Sequence, residues 1–334
     1  MKARLAASVA PLLLFTGCAG HQQSAIDPAG PQAEHIGMLW WVFFSVLGII
    51  FIAVMAFTLL SLMRGDREIE QEPHEAKEKK LTRIVAGVTI GTVVTLFLLL
   101  VSSIVTGKAV SELSQKNGMV IEVTGNQWWW YVRYQNDDPT KIVVTANEIH
   151  IPVGRPVMIR GTSNDVIHSF WVPNLHGKRD LIPSRVTTEW IQADKPGIYR
   201  GQCAEFCGLQ HALMALWVIA EPQNKFNAWM KEQLEPAADP TDPDKERGQQ
   251  VFLNNACVFC HAIRGTTAAA EIGPDLTHFG SRRSIAAGTL PNTKGNLGGW
   301  ISDPQGVKPG NHMATIAVNP NELEPLLNYI ESLK

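Results

Sequence analysis

The sequence predicts a multi-domain membrane protein: a two-helix transmembrane hairpin, then a small β-sandwich, then a small all-α domain. Three observations carry this reading. Two uncharged apolar stretches, Met38–Met63 and Ile84–Gly107, lie in the first third of the chain. From Met119 onward come short runs rich in Val, Ile and Trp, broken by turn residues, and a proline-rich stretch at 236–244 then leads into segments of helical periodicity. The 334 residues leave room for two modest domains besides the membrane segments. Lys and Arg (29) nearly balance Asp and Glu (31), a net charge of -2, so no basic field exists to collect nucleic acid and no such partner is expected.

The chain opens with a basic start (Lys2, Arg4), an apolar run to Phe15 and then Thr16-Gly17-Cys18, the order of a bacterial secretory signal over residues 1–18. The small residues before Cys18 resemble a lipoprotein processing site, with ordinary signal cleavage nearby as the alternative. Each apolar stretch is long enough to cross a hydrocarbon core of roughly 30 Å as a helix. The hairpin spans 38–107, and its loop, 64–83, carries Arg64, Arg67, Lys77, Lys79, Lys80 and Arg83. Basic residues near helix ends mark the cytoplasmic side, so everything after about residue 108 is expected outside, against the lipid bilayer of a bacterial inner membrane on its periplasmic face.

In the β region, residues 118–222, two thiols, two imidazoles and one thioether converge on one loop and one upstream strand end. They are Cys203, Cys207, His211 and Met214 in Gly201–Met214, and His168 in Asp165-Val166-Ile167-His168-Ser169-Phe170. Soft thiolate and thioether donors with imidazoles select copper, and one cysteine would make a mononuclear blue site. Two thiolates can instead bridge two copper ions, each completed by a histidine, with Met214 and a backbone carbonyl as weak outer ligands. A Cys203–Cys207 disulfide or a zinc site are the alternatives; a disulfide needs no histidines, and zinc has no use for Met214.

Beyond the 236–244 linker, in residues 245–334, Cys257-Val258-Phe259-Cys260-His261 is the attachment pattern of a covalent c-type heme, with His261 delivered to the iron. Lys245–Asn255 reads as a helix before it, and Leu323, Leu326, Leu327, Ile330 and Leu333 repeat at helical spacing in a closing helix. Lys308-Pro309-Gly310-Asn311-His312-Met313 resembles the ligand loop of class I cytochromes c, which implies Met313 as the sixth ligand, with His312 and His278 as competitors. Pro274 is expected to orient the His261 ring through its carbonyl. The five cysteines are then all assigned: Cys203 and Cys207 to copper, Cys257 and Cys260 to heme, Cys18 to lipid.

The stretch from Gln127 to Glu221 resembles subunit II of heme-copper cytochrome c oxidases. Gln127-Trp128-Trp129-Trp130-Tyr131, the Asp165–Ser169 run, Gly177-Lys178-Arg179-Asp180 and the Gly201–Met214 loop match that family's motifs in order and spacing. The C-terminal part resembles a class I cytochrome c. The resemblance implies a cupredoxin-like domain holding a dinuclear copper centre, with His168, Cys203, Glu205 through its carbonyl, Cys207, His211 and Met214 as ligands. It implies that the Glu205 side chain faces a magnesium ion shared with subunit I, and that Trp128 is the electron-entry aromatic; Trp130 is expected in the core.

Implied partners are subunit I, subunit III and reduced cytochrome c or another donor. The implied path runs from donor to heme, to copper, to subunit I, where oxygen is reduced. A copper subunit of a nitric oxide reductase and a stand-alone electron carrier are the other readings; the quinol oxidase branch lacks the copper cysteines. The chain departs from the family pattern at Ala215, where proline is usual, and at Leu181 and Ser184, where the family has Ala and Gly. Glu78 resembles a glutamate at a proton-channel mouth but lacks that motif's neighbours, and reads as one more loop charge. His150 and His176 fit no ligand position and are expected at the surface or hydrogen-bonded.

Overall fold

Residues 22–64, 75–112 and 118–334 are described by the structure, a computed structural model. The export signal, Cys18 and part of the 64–83 loop lie outside the described residues. Helices α1 (Pro31–Met63) and α2 (Glu75–Glu112) are each long and apolar enough to cross a membrane. Phe51, Phe57, Leu62, Val88 and Phe97 all stand exposed, an arrangement that water opposes and lipid accepts. Thr58, Thr92, Thr95 and Ser102 each donate to the carbonyl one turn back at 2.9 Å, so these hydroxyls need no water.

The first turn of α1 is stitched to the β domain. Ala29 N donates to Asn174 O at 2.7 Å, Ala33 N to Leu175 O at 3.2 Å, and Asp194 N to Ala29 O at 2.8 Å. Gly30 makes the approach possible, since a Cβ there would lie 2.0 Å from Gln192 O. The N-terminal end of α1 and the β domain therefore share one side of the hairpin.

That domain is built from β1 (Met119–Asn126), β2 (Trp129–Tyr134), β3 (Val143–Ala146), β4 (Glu148–Pro152), β5 (Val157–Ser163), β6 (His168–Phe170), β7 (Arg179–Leu181), β8 (Thr187–Ile191), β9 (Gly197–Gln202) and β10 (Ala215–Glu221). One sheet has the order β3-β2-β1-β5-β8, a second β4-β10-β9, and β6 pairs with β7. β1 runs parallel to β5 and β10 parallel to β4, while the other pairs are antiparallel. Alternation sorts the strands: Trp130, Val132 and Tyr134 of β2 are buried, and Trp129, Tyr131 and Arg133 are not. Ile121, Val123, Ile149, Ile151, Leu216 and Val218 complete a two-layer core.

Two departures from the family pattern have local counterparts. Leu181 is fully buried against Gly161, where a Cβ would meet Leu181 Cγ at 2.9 Å. Ser184 adopts φ 62°, the left-handed region that favours glycine.

Behind the sandwich, α3 (Gln223–Leu234) is a helix the sequence reading did not anticipate. It packs Phe226 and Trp229 back on the β domain. The C-terminal domain then follows with α4 (Pro243–Asn254), α5 (Lys294–Ser302), α6 (Pro304–Val307) and α7 (Pro320–Ser332). α4 begins two positions before the expected domain start at Lys245, because Asp242 caps it, accepting from Asp244 N and Lys245 N, with Pro243 in the first turn.

α4 and α7 cross at Gly248, where a Cβ would sit 2.0 Å from Pro325 O. Pro325 lies inside α7 and has no N–H to donate to Asn321 O. Arg247 from α4 supplies the missing donor, its guanidinium bonding Asn321 O at 2.8 Å.

Candidate metal centres

The copper-type donors meet where β6 faces the β9–β10 connection. Cys203 Sγ lies 3.8 Å from Cys207 Sγ, 3.8 Å from His168 Nδ1 and 3.2 Å from Glu205 O. Cys207 Sγ lies 3.6 Å from His211 Nδ1 and 3.9 Å from Met214 Sδ. Each histidine thus stands beside a different cysteine. The sulfurs are too far apart for a bond of about 2.05 Å, which disfavours the disulfide alternative. Cys203, Cys207, Met214 and His168 are all buried. The loop is closed by Cys203 N donating to Met214 O at 2.9 Å and tied to β6 by Ala204 N donating to Ser169 O at 3.0 Å.

The sulfurs conflict electrostatically as they stand. The Cys207 S–H holds the Cys203 thiol down, to about 4, and the same contact together with burial holds Cys207 well up. Two adjacent buried thiols cannot both ionise alone, and cations seated between them remove the conflict. The donor set therefore fits a soft metal such as copper.

Asp165 sets the orientation of His168. Its Oδ1 lies 2.7 Å from His168 Nε2, leaving Nδ1 for the cage, and its Oδ2 accepts from Gln127 N at 2.6 Å. Burial raises the Asp165 carboxyl, but the hydrogen bonds from His168, Val166 N and Gln127 N win and hold it below the usual range. Burial also works to lower His168, and its bonds to Cys203 and Asp165 win and raise it. Gly125 leaves room for the ring, since a Cβ there would come 2.6 Å from His168 Cδ2. Asp165 stood in a recognised motif without a role, and no sequence signal pointed to Gly125, whose importance is purely steric.

Trp128 is buried under the loop, and its Nε1 donates to Cys207 O at 2.9 Å, alongside Gln127 Nε2 at 2.8 Å. Trp130 is fully buried, as expected of a core residue. The Glu205 side chain is half-exposed, 3.8 Å from Lys178 Nζ. Phe206, Leu209, Val166 and Ile167 form an exposed apolar rim around the donors.

The other two histidines of the β domain lie inward. His150 stacks on Trp229 at 4.0 Å and faces Glu221 Oε1 at 3.4 Å. His176 Nδ1 lies 3.4 Å from Glu189 Oε2. Burial, with Arg179 opposing, pushes Glu189 up to about 8, and burial lowers His176, so the contact joins two neutral groups rather than an ion pair. Because the folded carboxyl holds its proton while an unfolded one near 4.5 has lost it, stability is greatest below pH 4.5 and falls as pH rises to about 8. The cost at pH 7 is about 3 kcal/mol. Glu189→Gln is expected to remove this slope, so that the thermal midpoint of the β domain exceeds wild type more at pH 8 than at pH 5. Equal differences at both pH values would show that Glu189 does not carry the slope.

In the C-terminal domain, Cys260 N and His261 N both donate to Cys257 O, at 3.2 and 3.0 Å, winding the motif into a tight turn with both thiols free. His261 Nδ1 bonds Pro274 O at 2.8 Å, which leaves Nε2 for iron. Gly273 permits this, since a Cβ would lie 2.8 Å from His261 Cε1. Free thiols, a fixed ring and an available nitrogen fit a covalent heme. Met313 packs against the same core as Cys257, Leu290 and Trp300, its carbonyl accepting from Gln305 Nε2 at 3.0 Å. Of its competitors, His278 is buried and engaged through Nε2 with Glu235 O at 3.1 Å, and His312 faces Trp128 with ring centroids 5.6 Å apart.

Comparison with known proteins follows the same division of the chain. Residues 137–221 match the family described as cytochrome C oxidase subunit II, periplasmic domain, and residues 245–334 match cytochrome c. A cytochrome c oxidase subunit 2 from Alkalihalophilus pseudofirmus is 36% identical over 96% of this chain and 94% of its own length. Its counterpart from Bacillus sp. strain PS3 is 32% identical over 78% and 79%. A quinol oxidase subunit 2 from Bacillus cereus is 30% identical over 71% of this chain and 82% of its own.

Proposed function

This chain belongs to the cytochrome c oxidase subunit 2 family, with a cytochrome c domain behind the subunit II domain, and from that premise we propose that it relays electrons from a reduced donor, through its c-type heme and a dinuclear copper centre, to subunit I, where oxygen is reduced to water. The observation that carries this reading is the pairing of His168 with Cys203 and of His211 with Cys207, on a protein that also holds the Cys257–His261 turn. Bound copper and heme iron would each supply reversible one-electron chemistry. His168, Cys203, Cys207, His211, Met214 and the Glu205 carbonyl would hold the copper pair, and Cys257, Cys260, His261 and Met313 the heme.

The residues themselves supply rigidity and exclusion of water. The buried donors sit on a loop fastened at both ends, so their positions need not change between oxidation states. Asp165 and Pro274 each fix one imidazole by its remote nitrogen. The apolar rim of Phe206, Leu209, Val166 and Ile167 suits contact with subunit I, and the Glu205 carboxylate suits a magnesium ion shared across that contact. The hairpin would anchor the chain in the bacterial plasma membrane with both metal domains outside, and Cys18 would carry lipid.

Both the cysteine pair and the heme motif favour a protein donor over a quinol. Oxygen uptake by the purified complex with reduced cytochrome c tests the reading directly. Sustained uptake is expected. Uptake of nitric oxide instead, or isolation of the chain as an active carrier without a polytopic partner, would replace it.

A further inference from the structure

Lys308 is a buried cation with no carboxylate beside it among the described residues. Its side chain is 2% exposed, and Nζ donates to Leu213 O at 2.8 Å, Trp128 O at 3.1 Å and Ala286 O at 3.1 Å. An ammonium has three donors and all three are used, which offsets part of the cost of burying the charge. Two of the acceptors belong to the β domain, at Trp128 and at the residue before Met214. Lys308 itself belongs to the loop that ends in Met313.

The surrounding contacts converge on the same seam. Gln210 Nε2 donates to Pro309 O at 2.6 Å, and Gly310 sits so close that a Cβ would meet Leu209 Cδ1 at 2.6 Å. Ala215, which stands where the family has proline, uses its N–H to bond Ala287 O at 2.9 Å, a bond proline could not make. His312 faces Trp128 at 5.6 Å between centroids, and Trp128 in turn donates to Cys207 O. A run of direct contacts thus joins the Met313 loop to a copper-type cysteine. Burial lowers the ammonium to about 8, so Lys308 keeps its proton at neutral pH.

We propose that Lys308 is a positioning residue for electron transfer between the two domains: its three bonds hold the Met313 loop against Trp128, and its fixed positive charge favours the electron on the copper side. The transfer it governs moves one electron from the heme site, which is oxidised, to the copper site, which is reduced, with no bond or proton exchanged. This rests on the functional reading above.

The test uses the purified oxidase complex carrying Lys308→Met, with one electron injected photochemically into the heme and its arrival followed in the near-infrared copper band. Transfer is expected to slow about tenfold through loss of positioning. The equilibrium share of the electron is expected to shift toward the heme by about threefold or more through loss of the charge. Unchanged rate and unchanged share, with both bands intact, would overturn the proposal. Where Lys308→Met loses either band, Lys308→Gln keeps N–H donors and removes only the charge; a wild-type share in that variant would equally overturn it. A wild-type complex lacking the near-infrared band would instead refute the copper reading on which the proposal stands.

Discussion

Replacing His168 with asparagine is expected to remove the near-infrared copper absorption and stop oxygen reduction while leaving the heme spectrum unchanged. The ring offers Nδ1 to the cage at 3.8 Å from Cys203 Sγ while Nε2 is held by Asp165 at 2.7 Å, and an asparagine amide is too short to do both. Its loss leaves one side of the cage with no imidazole, and the buried sulfur pair returns to the conflict in which only one thiol ionises readily. Losing an outer partner such as Asp165 costs metal sites about 10- to 100-fold, so losing the ligand itself should cost more than that in turnover. The cytochrome domain has its own core around Phe252, Leu326 and Tyr329, which is why its spectrum should survive. Absorption spectra and oxygen uptake on the same preparation decide the matter. A copper band that persists would show that the ligand assignment is wrong, and turnover persisting without the band would show that the copper site is not on the route.

The second large effect concerns the other centre. With Cys257→Ala and Cys260→Ala combined, covalently bound heme is expected to fall to background, read by acid-acetone extraction followed by a pyridine hemochrome assay. The copper band should remain, because the donors around Cys203 sit in the β-domain core. Reduction by a protein donor should fail, whereas a small reductant that reaches the copper site directly should still reduce it. Heme that resists extraction from the double variant would show that another residue holds it.

These two centres were legible in the sequence because their donors are local. Cys203, Cys207, His211 and Met214 occupy a single loop, and Cys257, Cys260 and His261 a single turn, so spacing alone exposes them. The two uncharged stretches and the alternation in β2 are equally short-ranged signals. α3 is held by burying Phe226 and Trp229 on strands far away in the chain, a relation that local spacing does not record.

Chemistry, then, was legible in the sequence: which side chains could hold metal and which segments suit lipid. Placement was decided by the tertiary structure alone. Lys308 and Trp128 are 180 residues apart, and Gly125 matters to His168 only because β1 passes beside β6. Such relations arise from packing, where the room left by a missing Cβ or the three carbonyls meeting one ammonium depend on every neighbouring strand. A pattern of residue types carries no record of those distances.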